Sequence, residues 1–180
     1  MTSVATRPAP TLEVMSDSVN GTWLATAQIL LTYVDGEATK NNFKLAKQRR
    51  PDAWCVQTTV EGQPGVAVFD IEQGDGTIAE GVRWSAKELR QGRRPTLYGG
   101  GWTRSLLVPA LATEGLKLGF TGHVDYLLAN PNGKPPTLEE LILSDDIGAQ
   151  YYWGPWRGPD SYDLSVVRSD WHALLVGDPE

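Results

Sequence analysis

The sequence predicts an α/β protein folded as a compressed (β/α)8, TIM-like barrel with several short or missing helices. Three observations carry that expectation. Eight short β-branched or aromatic runs recur along the chain, helical segments alternate with them, and the length is too small to give every strand a full helix. The runs are residues 12–16, 28–34, 54–60, 66–71, 96–98, 124–129, 149–153 and 163–167. Eight strands in 180 residues leave about 22 residues per strand–helix unit, against about 31 in a barrel of about 250 residues. The connections 17–27 and 61–65 are accordingly too short for a full helix. A doubly wound open sheet is the alternative architecture, but no Gly-x-Gly-x-x-Gly follows any strand, so nothing supports a dinucleotide site.

Taken in order, residues 1–10 are small, polar and Pro-containing and read as a flexible arm, which leaves 11–180 as one domain. The first helix, 37–50, is polar and ends before Pro51. The second, 77–91, has the clearest signature. Thr77 and Glu80 form a Thr-x-x-Glu capping box, Gly92 follows the end, and Ile78, Val82, Ala86 and Leu89 share one face. Gly99-Gly100-Gly101 lacks the Lys-Ser/Thr of a phosphate loop and reads as a tight strand-to-helix turn. A third helix, 102–114, is expected to kink or split at Pro109, and a short one, 137–143, again opens with Thr-x-x-Glu. The tract 153–162 has no periodicity and reads as a loop over the barrel mouth, where binding residues tend to be carried.

The charge balance narrows the function classes. Sixteen Lys and Arg stand against 22 Asp and Glu, giving a net charge of -6, which argues against capture of a nucleic-acid backbone or an anionic membrane. The basic pairs Arg49-Arg50 and Arg93-Arg94 fall at expected helix ends, where cations complement the macrodipole. One cysteine, Cys55, excludes an intrachain disulfide and a cysteine metal site; in the run Trp54-Cys55-Val56 it reads as a buried, inert thiol. His123 and His172 have no ligand-spaced partner, so neither a metal nor another cofactor is expected. No apolar stretch approaches the roughly 20 residues of a membrane span, and the N-terminus has no signal-peptide apolar region. The expectation is a chain made in the cytoplasm without a Sec-type address.

The most informative segment is Val66-Ala67-Val68-Phe69-Asp70-Ile71-Glu72, a strand ending in two acids separated by one residue. Strand geometry puts both on one face, and at the C-terminal end of a barrel strand that face opens onto the mouth. Two close carboxylates repel, which raises one pKa and sets a protonated acid beside an ionised partner, as glycoside hydrolysis requires. An Asp-x-Glu pair also serves as a cap or as surface charge, so further acids matter. Asp17 follows the first strand, Asp35 follows the second, and Asp163 opens the last. For Asp35-Gly36 a plain turn is the alternative. Seven Trp and six Tyr supply a second constellation, with Trp102, Tyr126, Tyr151, Tyr152, Trp153, Trp156 and Tyr162 at strand ends or in loops. Aromatic faces stack on sugar rings, although core packing accounts for many of them equally well. Trp84 is expected to be structural, and some of Tyr98, Tyr126, Tyr152, Trp153 and Trp156 to line a cleft.

Read together, Phe69-Asp70-Ile71-Glu72, Pro95-Thr96-Leu97-Tyr98, Val124-Asp125-Tyr126-Leu127-Leu128-Ala129, Ala149-Gln150-Tyr151-Tyr152 and Tyr162-Asp163-Leu164-Ser165-Val166-Val167 follow the order found in family 25 glycoside hydrolases. Residues 12–170 resemble more closely the shortened glycoside-hydrolase-like barrels of actinobacteria and their phages. The resemblance implies a lysozyme-type fold acting on the N-acetylmuramic acid to N-acetylglucosamine linkage of peptidoglycan. It gives Glu72 the general acid, Asp70 the carboxylate that orients the 2-acetamido group, Asp163 the late aspartate and Asp17 the first-strand aspartate. The chain departs from that pattern in the first strand, where Gly-x-Asp-x-Ser reads Val14-Met15-Ser16-Asp17-Ser18, and in Ala129-Asn130-Pro131 after the sixth. The readings carried forward are a phage-encoded muramidase-like glycosidase or, alternatively, an inactive barrel that binds carbohydrate or builds a phage particle with other virion proteins. A third is a hydrolase using the same acids on another substrate.

Overall fold

Each strand of the sheet is hydrogen-bonded to two neighbours, so the sheet closes and has no edge. The structure is a computed structural model that describes residues 9–18, 20–36, 42–72, 75–118, 122–129, 133–155 and 161–176. Around the barrel, in chain order, run β1 (Leu12–Asp17), β2 (Ile29–Tyr33), β3 (Trp54–Thr59), β4 (Val68–Asp70), β5 (Thr96–Gly100), β6 (Asp125–Ala129), β7 (Gly148–Tyr152) and β8 (Asp163–Arg168). The helices among the described residues are α1 (Asn42–Arg49), α2 (Ile78–Arg90), α3 (Gly101–Leu118), α4 (Leu138–Ser144) and α5 (Trp171–Val176). Closure rules out the open, doubly wound alternative. The 60–67 connection holds no helix, whereas α3 runs unbroken through Pro109.

Neighbouring strands from β1 to β7 are parallel, but β8 runs antiparallel to both β7 and β1. This corrects the (β/α)8 expectation, in which all eight strands would be parallel, and the reason lies in the preceding loop. Ser161 stays at the C-terminal end of β1, where its carbonyl accepts from the Ser18 hydroxyl at 3.2 Å and its hydroxyl from Asn20 Nδ2 at 3.0 Å. A chain held at that rim can only run back down the barrel. Asp163, the first residue of β8, therefore pairs with Asp17, the last of β1. In a parallel strand it would have opened at the opposite rim.

Alternate residues fill the lumen: Met15, Ile29, Leu31, Val56, Val68, Leu127 and Val167 form one cluster. Trp171 from α5, an element with no clear sequence signal, closes the N-terminal end. Its indole N–H donates to Thr96 Oγ1 at 3.1 Å, and its ring meets Trp54 edge-on with centroids 5.2 Å apart. Both partners open their strands. The outward residues Phe69, Ile71, Leu97 and Tyr126 pack with Val82, Trp84, Leu107 and Leu111 of α2 and α3. Ala27, Leu30, Ala46, Ala53 and Cys55 make a third cluster beside α1, and the thiol is buried there as expected.

The helix starts follow their sequence signals. Thr77 and Thr137 each accept from the backbone N–H of the glutamate three residues on, and Glu80 and Glu140 return the bond to the cap N–H. Gly92, after α2, has φ +73. Arg49 and Arg50 stand at the end of α1 as expected, whereas Arg93 and Arg94 lie in the loop beyond α2, and both pairs tie segments together. Arg49 donates to the Gly21 carbonyl at 2.7 Å, Arg50 donates to the Ala27 carbonyl, and Arg93 pairs with Glu88. Arg94 grips Asp125 with two bonds of 2.7 Å. Among the described residues no helix is long and apolar enough to cross a membrane.

Candidate active site at the barrel mouth

Strand register decides which side chains reach the mouth. Val68 belongs to the lumen cluster, so the residues two and four further on, Asp70 and Glu72, share its face. Glu72 lies just beyond β4 and its backbone N–H donates to Asp70 Oδ1 at 3.0 Å. Asp17 ends β1 in the parity of Met15, and Tyr33 ends β2 in the parity of Ile29 and Leu31. Antiparallel β8 adds Asp163 from the other side of Asp17. Sequence reasoning thus named four acids, Asp17, Asp70, Glu72 and Asp163, that the barrel brings to one rim.

Two tyrosines knit the acids to the barrel. The Tyr33 hydroxyl lies 3.0 Å from Asp17 Oδ2 and 3.0 Å from Asp70 Oδ2. The buried Tyr98 hydroxyl donates to Gln150 Oε1 across the lumen. Asp163 Oδ1 accepts from the Gly154 N–H at 3.0 Å, which ties the start of β8 to the segment after β7. Asp17 Oδ1 is buried with no hydrogen-bond partner among the described residues.

Burial pushes every one of these acids up, and repulsion from neighbouring carboxylates adds to it for Asp17, Asp70 and Glu72. Burial is the main cause for Asp17, with Asp163 and Glu72 adding to it and the Tyr33 hydroxyl opposing. Asp70 is driven up by burial and then by Glu72 and Asp75. Glu72 rises to about 7, first through burial and then through Asp163 and Asp75. Burial also raises Asp163, against hydrogen bonds from Gly154 and Gln150. The Tyr33 and Tyr98 phenols are pushed well above 10 by burial and the surrounding carboxylates, so both stay neutral donors. The mouth therefore retains carboxyl protons near neutrality, a condition that suits general acid catalysis.

The aromatic candidates divide. Tyr98 lies in the floor of the mouth beneath the acids, while Tyr152 and Trp153, at the end of β7, are 40% and 54% exposed. Tyr126 has the wrong parity in β6. It faces outward into the layer under α2 and α3, with the Arg104 guanidinium 5.0 Å over its ring, and so leaves the proposed cleft lining. Asp35 does not reach the mouth either: it is buried, Oδ2 accepts from the Thr59 hydroxyl and Oδ1 from the Val60 N–H at 2.7 Å. It clamps the ends of β2 and β3, a stronger version of the turn role. Trp156 lies outside the described residues. Tyr33 and Gln150 are site residues that sequence reasoning missed. Their only signal was a polar group at an inward position of an otherwise apolar strand. Trp102, 61% exposed at the start of α3, adds an aromatic face just past the C-terminal end of β5.

A cavity of about 400 Å³ lies away from the mouth, on the flank lined by Leu128, Pro136, Leu141, Asp146 and Ala149. Its walls carry none of the mouth acids, and chemistry rather than volume picks out the site. No group of three or more His, Cys, Asp or Glu among the described residues is arranged to hold a metal ion.

Fold and site together define a class: a closed, mixed α/β barrel with an acid cluster at the C-terminal rim of its parallel strands. No model of a known family matches the chain, and no curated protein matches it. The fold is similar to that of a crystal structure of an uncharacterized protein from B. stearothermophilus, with a TM-score of 0.61 at 10% identity over 91% of this chain and 99% of that one. At such identity the likeness speaks to the fold alone.

Proposed function

We propose that the protein is a glycosidase of the lysozyme type that cleaves peptidoglycan, with Glu72 donating the proton to the leaving oxygen. The observation that carries this reading is the convergence of Glu72, Asp70, Asp17 and Asp163 at one rim, where burial and the neighbouring acids raise Glu72 to about 7. Near neutrality Glu72 still holds a proton to give, and the remaining acids supply negative charge for an oxocarbenium-like state. Asp70, whose Oδ1 accepts the Glu72 N–H, fixes the backbone that presents the acid. Tyr152, Trp153 and Trp102 offer exposed rings on which sugar faces can stack. No step requires a metal or an organic cofactor.

The test is release of reducing ends from purified peptidoglycan by wild type and by Glu72→Gln, which keeps the size but removes the transferable proton. Release by wild type that the variant lacks supports the reading. No release by a folded wild type that still sediments with the polysaccharide refutes it in favour of the second reading, a carbohydrate-binding or structural barrel of a phage particle. One observation favours that alternative: Leu106 and Val108 of α3 and Ile142 and Leu143 of α4 are exposed, Leu143 by 80%, as a flank covered by a partner chain would be.

A further inference from the structure

We infer that Tyr33 is a positioning residue that holds one shared proton between Asp17 and Asp70. The geometry points to it directly. One hydroxyl carries one hydrogen, yet Tyr33 Oη is 3.0 Å from a carboxyl oxygen of each acid. The hydrogen can make a full, near-linear bond to only one of them, and sharing it between two weakens both. The other contact becomes a full hydrogen bond when that carboxyl is itself protonated and donates to the tyrosine oxygen. With both acids ionised, one carboxylate would face a phenol lone pair at hydrogen-bond distance in a buried site, an arrangement that costs free energy.

The groups around the trio favour the same count. Asp17 is faced by Asp163 from β8 and Glu72 from beyond β4, and Asp70 by Glu72 and Asp75. Tyr33 itself is faced by Asp17, Asp70 and Tyr98. All of these are acids or neutral phenols, so none neutralises a second negative charge on the pair. The bridge stabilises the state with one proton relative to both the fully protonated and the fully ionised states. Its consequence for the site is a pair fixed in orientation with a single charge. Asp17 Oδ1 is buried and unpartnered among the described residues, so no donor there offsets a second charge on the pair.

The test reads carboxyl protonation and so stands or falls apart from the glycosidase reading. With aspartate side-chain carboxyls labelled by carbon-13, the wild-type pair should lose its two protons in two well-separated steps. In Tyr33→Phe the lower step should rise and the upper one fall, so that they converge by about one pH unit. Steps that stay where they are, or move apart, overturn the inference. Should Tyr33→Phe fail to fold, Asp70→Asn takes its place. The amide donates to Tyr33 Oη as a neutral acid would, and Asp17 should then titrate in one step below the upper step of the wild-type pair. An Asp17 titration indifferent to Asp70→Asn overturns it equally.

Discussion

Replacing Glu72 by Gln should stabilise the protein at alkaline pH and leave it unchanged in acid. The folded protein holds the carboxyl at about 7 where the unfolded chain holds it near 4.5. A group whose folded pKa is raised contributes stability that is fully present below the unfolded value and is lost as pH climbs through the folded one. Ionisation of Glu72 therefore costs folding free energy between about pH 4.5 and pH 7. At 1.36 kcal/mol per pH unit the gap corresponds to about 3 kcal/mol, and the partial exposure of Glu72 reduces it to about 2 kcal/mol. Gln keeps the shape and never ionises. Urea unfolding of both proteins at about pH 4 and about pH 8 measures the effect, since a midpoint that moves with constant slope reports stability alone. At about pH 8 the variant should be more stable by about 2 kcal/mol, and at about pH 4 the two should coincide. A difference that is the same at both pH values, or a variant less stable at about pH 8, would refute the reasoning that Glu72 is buried among like charges.

Three more outcomes follow from the same geometry. Trp171→Ala should cost about 3–5 kcal/mol in urea unfolding, because it empties the closed end of the lumen and frees Thr96 Oγ1. Asp35→Ala should lose about 1–3 kcal/mol of stability by orphaning the Thr59 hydroxyl and the Val60 N–H, while sedimentation with peptidoglycan stays as in wild type. Trp153→Ala should do the reverse, weakening sedimentation with the polysaccharide several-fold without moving the urea midpoint, since the ring is 54% exposed.

The strands were legible in the sequence because short apolar runs between turn residues survive any arrangement of neighbours, and each observed strand starts and ends within two residues of its expected bounds. Likewise α2 announced itself through Thr77 and Glu80, whose bonds are local. What sequence could not carry is direction and parity. A run such as Asp163-Leu164-Ser165-Val166-Val167 reads the same going up or down the barrel, so the antiparallel course of β8 was hidden. Tyr126 was misassigned because strands covered on both faces are apolar on both, and nothing local says which parity faces the lumen. The Asp-x-Glu pair was found because its two members sit on one strand. Tyr33 was missed because its role exists only once β1, β2 and β4 are brought into register. The short α5 had neither cap nor length to mark it, although Trp171 at its head is fully buried.

The central claim is that the acids at the barrel rim cleave peptidoglycan after N-acetylmuramic acid. The most direct measurement is digestion of purified peptidoglycan, reduction of the new ends with borohydride, and identification of the reduced sugar. The account predicts muramitol-type ends with wild type at neutral pH and none with Glu72→Gln. Reduced glucosamine ends would contradict the assigned linkage, and equal yields from both proteins would contradict the role given to Glu72.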